Sequence, residues 1–163
     1  MVRKILLMAA GLASLDQLVK MLVLHVGISG VSIVGRHIYI SPKLNTQLSM
    51  YNSLFGFALG APFLIAINAG LILAAAGLLL YACRKQIKLG RAGACAADFL
   101  QAGLWASLID KIFWGGSYDW LCVDIPVFPA RYFFDLKDLY MDIGAVLLCV
   151  FLVSNLRKQR SEQ

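Results

Sequence analysis

The sequence predicts an all-α membrane protein, four transmembrane helices with a small outer β-like segment and an outer loop, and three observations lead to it. The chain is 60% hydrophobic and only 15% charged, with a mean hydropathy of +0.76, more apolar than a water-soluble domain needs. Four runs, 5–26, 62–83, 94–114 and 138–156, approach the length of about 20 apolar residues that a spanning helix takes. Basic residues gather in alternate connections: Arg3 and Lys4 before the first run, Arg84, Lys85, Lys88 and Arg91 between the second and third, and Arg157, Lys158 and Arg160 after the fourth. Cytoplasmic loops hold an excess of Lys and Arg, so both termini are expected in the cytoplasm, with residues 1–163 forming a single integral membrane domain.

The first run also has features of a cleaved signal peptide, since Arg3 and Lys4 precede an apolar stretch ending in small residues. The stretch continues past Ala13 and Ser14, however, and resumes after Asp16, Gln17 and Lys20 with Met21 to Val26. It is long enough to span. The connection 27–60 alternates apolar and polar residues around Val31, Ile33, His37 and Tyr39, which predicts short strands lying on the outer membrane surface. The connection 115–134 carries Gly115, Gly116, Pro126 and Pro129 among Trp120, Tyr118, Tyr132, Phe133 and Phe134. It is read as an outer loop whose aromatics sit at the headgroup level.

The net charge of +6 is accounted for by membrane orientation, and a nucleic-acid partner is not expected because no solvated basic face with interleaved aromatics is present. Cys83, Cys95, Cys122 and Cys149 show no paired ligand spacing, so neither a disulfide nor a metal is expected. His25 and His37 stand alone, and no Gly-rich phosphate loop or nucleophile motif suggests a cofactor.

What remains is a set of acids within the spans, where ionisable side chains are expensive and point to function. Asp16 and Lys20 lie four residues apart on one helical face, and the pair is open to a structural or a catalytic reading. Asp98, placed near the start of its helix, is read as a structural first-turn acid. Asp110 ends an outward-running span and Asp138 begins an inward-running one, so both are expected at one depth near the outer surface. Two such carboxyls can share a water, one acting as base and the other as acid. Asp138 has a second reading, as a first-turn acid behind a capping Asp135, whereas Asp142 lies a turn beyond any cap. The helix dipoles favour the resting proton on Asp110 and the charge on Asp138.

At these residues the chain resembles bacterial lipoprotein signal peptidase, the signal peptidase II family, over nearly its whole length. Asp16-Gln-Leu-Val-Lys20 matches the family's first-span Asp and Lys, and Asn45-Thr-Gln-Leu-Ser49 is similar to its outer Asn-x-Gly-x-Ala motif. Ser107-Leu-Ile-Asp110-Lys111 aligns with Asn-x-x-Asp-Arg, and Phe134-Asp135-Leu136-Lys137-Asp138, with Gly144 beyond it, aligns with Phe-Asn-x-Ala-Asp. The chain departs from the pattern at Ser107 and Asp135 for Asn, Lys111 for Arg, Lys137 for Ala, and Gln47 and Ser49 for Gly and Ala. An ionised Asp135 only accepts hydrogen bonds, so it either crowds charge onto the acid pair or is neutralised by Lys137 or Lys111.

The resemblance implies an intramembrane aspartyl endopeptidase that removes signal peptides from diacylglyceryl-modified prolipoproteins with water and the Asp110–Asp138 dyad. Asp16, Lys20, Asn45, Ser107, Lys111 and Asp135 are the implied supporting or substrate-binding residues. Implied partners are a prolipoprotein with a lipidated Cys, membrane lipids and the family's cyclic peptide inhibitors, in the bacterial cytoplasmic (inner) membrane. A noncatalytic lipoprotein-binding relative and a small proton-coupled transporter are the alternatives. Transport calls for polar residues through the depth of several helices, and the second span has only Asn68 as a strongly polar side chain.

Overall fold

The computed structural model describes residues 1–46, 59–126 and 131–161. Four helices in it are long and apolar enough to cross a membrane: α1 (Val2–Val26), α2 (Ala61–Arg84), α3 (Gly90–Ile109, continued by a π-helical turn over Asp110–Trp114) and α4 (Leu136–Ser161). The four expected spans are therefore present, the first and third extended at their starts and the second and fourth at both ends. At about 1.5 Å per residue each can cross a hydrocarbon layer about 30 Å thick.

Local chemistry sets the ends. α1 stops at Gly27, whose left-handed backbone (φ 65°) allows its N–H and that of Ile28 to reach back to Leu24 and Val23 carbonyls. Pro62 stands in the first turn of α2, where a missing N–H costs nothing. α3 begins at Gly90, which puts Asp98 about two turns inside the helix. The expectation of a first-turn acid at Asp98 is thereby corrected, because the dipole's influence is confined to the terminal turn.

The connections 27–60 and 115–134 do more than the sequence suggested. β1 (Val31–Val34) and β2 (Ile38–Asn45) form where strands were expected. The connection read as a loop also contributes β3 (Ser117–Val123) and β4 (Tyr132–Phe134), completing an antiparallel sheet in the order β1-β2-β3-β4. β2 pairs with β3 from Ile38↔Val123 to Asn45↔Ser117, tying the segment after α1 to the segment after α3. β4 pairs with β3 at Leu121↔Phe134 and leads through Asp135 into α4.

The helices turn large apolar side chains outward, with Leu73 72% and Leu78 69% exposed, and bury Asp16, Lys20, Gln101 and Asp110. Lipid suits the first set, and of the second the charged Asp16, Lys20 and Asp110 must be paired in the interior. α3 packs most extensively against α4 and next against α1. Gly103 and Gly144 permit this approach: a Cβ on Gly144 would lie 2.7 Å from Leu100 Cγ, and one on Gly103 would lie 2.6 Å from Met141 Cγ. Close contact of α3 and α4 brings Asp110 and Asp138 to one end of the bundle, the end that carries the sheet.

Candidate active site

Beneath the sheet lies a cluster built from every helix except α2. α1 supplies Asp16, Gln17 and Lys20; the π-turn at the end of α3 supplies Asp110; β3 supplies Ser117 and Asp119; the start of α4 supplies Asp135, Lys137 and Asp138. Insertion of a π-turn at Asp110 is a deviation that recurs at functional sites.

Lys20 is the hub. Only 1% exposed, it forms ion pairs with Asp16 (2.8 Å), Asp110 (2.6 Å) and Asp135 (2.6 Å). The i,i+4 pair expected on α1 is thus present, and its lysine also neutralises acids from two other elements. Asp110 accepts from Lys20 and from the Ser117 hydroxyl (3.1 Å) at Oδ2, and from the Gln17 amide (2.7 Å) at Oδ1. Gln17 is itself oriented by Trp114 Nε1, which donates to its Oε1 at 3.0 Å. Lys20 and Gln17 thus donate to different oxygens of this carboxyl, while the single proton of the Ser117 hydroxyl has Asp110, Asp119 and Asp135 within reach.

Asp135 has a double part. Its Oδ1 accepts the Asp138 backbone N–H at 3.2 Å, and Asp138 Oδ2 accepts the Asp135 N–H at 3.4 Å, the reciprocal pattern of a capping box. Its Oδ2 takes the ammonium groups of Lys137 (2.5 Å) and Lys20 (2.6 Å). Burial pushes its carboxyl up, but those two cations outweigh burial and hold it below the usual carboxylate range. Lys137 and Lys20, rather than Lys111, are therefore its neutralising partners. Asp119 behaves oppositely: burial pushes its carboxyl up, and the nearby Lys137 with hydrogen bonds from Ser117 and Asn45 offsets only part of this.

Lys137 stands between the two acids expected to form the dyad. Its Nζ is 3.6 Å from Asp110 Oδ2 and 3.5 Å from Asp138 Oδ1, while it bonds Ser117 Oγ at 2.6 Å. The Asp138 side chain is 45% exposed, against 1% for Asp110. Asn45 joins from β2, donating to Asp119 Oδ2 at 3.3 Å. Ser107 and Lys111 bond each other, Nζ to Oγ at 2.5 Å. Asp142 is exposed on α4, and Gln47 and Ser49 lie outside the described residues.

Sequence reasoning missed Gln17, Ser117 and Asp119, and saw Lys137 as a departure from a pattern and a candidate partner for Asp135, not as a neighbour of Asp110, Ser117 and Asp119. Ser117 and Asp119 were legible as an i,i+2 polar pair, which shares one face of a strand, but 115–134 was read as a loop. Two trios, Asp16-Asp110-Asp135 and Asp119-Asp135-Asp138, each bring carboxylate oxygens within 4.8 Å of one another. Such spacing could suit a metal, but Lys20 pairs with all three acids of the first trio and Lys137 lies within 4 Å of all three of the second.

A family model described as signal peptidase (SPase) II matches residues 8–154. Among solved structures, a bacterial membrane enzyme determined by the in meso method at 2.3 Å is similar, with a TM-score of 0.74 and 20% identity, covering 96% of this chain and 91% of that one. A second bacterial membrane enzyme, determined by the same method at 1.9 Å, gives 0.73 and 20% with coverage of 93% and 94%. At that identity the two establish the fold. A search of curated proteins finds no match.

Proposed function

The chain belongs to the signal peptidase II family of membrane proteases that process lipoprotein signal peptides, and we propose that it works as an intramembrane aspartyl endopeptidase, cleaving diacylglyceryl-modified prolipoproteins with Asp110 and Asp138. The observation that carries this reading is the convergence of Asp110 and Asp138, from different helices, on either side of Lys137 at the sheet-bearing end of the bundle.

In the reaction, a water between the two carboxyls attacks the peptide carbonyl carbon. Asp110 is the base: its Oδ1 accepts one hydrogen bond, from Gln17, and keeps a lone pair for the water's proton. Asp138, the more open carboxyl, carries the proton that the leaving nitrogen receives. Asp16, Lys20, Asn45 and Asp135 hold the pair in position, and Ser107 with Lys111 braces the end of α3. The family's lipoprotein precursors are the substrates, and the diacylglyceryl group is taken from the lipid phase, where the apolar exterior of the helices offers a lateral approach.

The setting is the bacterial inner membrane with both termini cytoplasmic and the cluster near the outer surface, as the three basic clusters support. In a cysteine-free background, labelling of Lys88→Cys from the outer side, or of Tyr118→Cys only from the inner side, would reverse it.

The test of function is cleavage by the purified protein in lipid bilayers, comparing acylated with unacylated prolipoprotein. Processing of the acylated form alone is expected, and equal processing of both would remove the lipid from the reading. A noncatalytic lipoprotein-binding relative is favoured by one observation, the ammonium groups already seated among the acids, and predicts binding without cleavage.

A further inference from the structure

The two buried lysines of the cluster differ in one respect. Lys20 has three N–H groups and three carboxylates at 2.6 to 2.8 Å, so it is saturated. Lys137 has two close partners, Asp135 Oδ2 at 2.5 Å and Ser117 Oγ at 2.6 Å. Its remaining neighbours, Asp138 Oδ1 (3.5 Å), Asp110 Oδ2 (3.6 Å) and Asp119 Oδ1 (3.7 Å), all lie beyond the distance of about 2.7 to 2.9 Å typical of a charge-assisted hydrogen bond. Its third N–H therefore has no acceptor at that distance among the described residues, and of the three acids around it Asp138 is the most exposed, at 45%.

Resting on the peptidase reading above, we propose that Lys137 is a catalytic residue that donates its third N–H to the scissile carbonyl oxygen as negative charge develops there. A carbonyl oxygen brought to that N–H would meet a buried cation already held in place by Asp135 and Ser117, and preorganised donors of this kind stabilise charge as it develops. The step balances. The water's proton passes to Asp110 as its oxygen bonds the carbonyl carbon, and the carbonyl π pair moves onto the oxygen held by Lys137. That pair then re-forms the C=O bond while the C–N bond breaks and the Asp138 proton goes to nitrogen. Solvent exchange restores the starting protonation of the two acids.

A Ser117–Lys137 nucleophile pair is the competing use of these atoms. The geometry disfavours it, because Ser117 Oγ accepts from Lys137 and directs its own proton to a carboxylate, Asp119 Oδ1 being the nearest at 2.7 Å.

The experiment measures single-turnover cleavage of a diacylglyceryl-modified prolipoprotein by full-length protein in nanodiscs, with substrate binding followed separately. Lys137→Ala is expected to lower the cleavage rate by about 10²- to 10³-fold, the loss typical of removing one oxyanion donor, while the dissociation constant stays nearly constant. Added ethylamine, which fits the space vacated by the side chain, should restore turnover to Lys137→Ala in a concentration-dependent way. Lys137→Arg keeps the cation should Lys137→Ala fail to fold, and is expected to bind normally and cleave more slowly than wild type. Wild-type or faster cleavage by either variant would overturn the proposal, as would a loss confined to binding or a covalent acyl-Ser117 species. Wild-type protein that cleaves nothing would instead fail the peptidase reading itself, and this inference with it.

Discussion

The sheet-bearing end and the middle of the bundle both bury polar side chains, yet they treat them in opposite ways. Beneath the sheet, Asp16, Lys20, Asp110 and Asp135 are each at most 1% exposed and each has two or more charged or polar partners. In the middle, Gln101 is equally buried but neither of its amide atoms is hydrogen-bonded to a described residue, and Asn68 Oδ1 is likewise unpartnered. The middle is held by close approach of small residues instead: Gly103 against Met141, Gly144 against Leu100, and the cluster of Ala9, Ala102 and Tyr140. Charge in a low-dielectric interior needs several partners, whereas helix packing in lipid needs only surfaces that fit. The sheet-bearing end therefore rests on paired charge and the middle on close packing, and substitutions should separate them.

The largest effect is expected at the dyad. Asp110→Asn and Asp138→Asn should each reduce cleavage by about 10²- to 10⁴-fold, the range of a lost general acid or base, with helicity by circular dichroism retained. Activity surviving in both variants would break the distinction, leaving the charged end a structural device. Next, Lys20→Met leaves Asp16, Asp110 and Asp135 without their shared cation, a change that costs about 3 to 5 kcal/mol when a buried pair loses one member. Thermal unfolding in detergent should show it as a large fall in Tm.

Gly144→Ala tests the other region. The new methyl meets Leu100 Cγ at 2.7 Å and the Leu100 backbone nitrogen at 3.0 Å, and overpacking of this kind costs about 1 to 3 kcal/mol. Stability should fall while the substrate affinity of the remaining folded protein changes little.

Acid should act through the charged end. The Asp135 carboxyl is held below its usual range by Lys137 and Lys20 despite the opposing effect of burial. Its contribution is accordingly full above the ordinary carboxylate range and is lost as pH falls through the depressed folded-state value. Unfolding scans from neutral pH downward should show that limb, and Asp135→Asn should flatten it. The smallest effect belongs to Asp142→Asn, an exposed position on α4, expected to shift stability by less than about 0.5 kcal/mol and to leave cleavage unchanged.

Hydropathy and basic-residue placement were enough to read the four helices, because in lipid the interior need not be more apolar than the exterior and a span declares itself by composition alone. The sequence by itself also determined that Asp16 faces Lys20 and that Asp135 can cap the helix bearing Asp138, both being relations within a few residues. Tertiary structure alone decided that Lys20 reaches acids 90 and 115 residues away, because helix α3 must first approach α1 and α4. It likewise decided that β3 carries Ser117 and Asp119 into the cluster, a consequence of sheet register that no local periodicity encodes. Lys137 shows the division most clearly: in the sequence it is one substituted position, and only the convergence of three chain segments makes it the cation between two acids. Local patterns fix helices because their hydrogen bonds are local, whereas the partners of a buried charge are chosen by whichever distant groups share its enclosure.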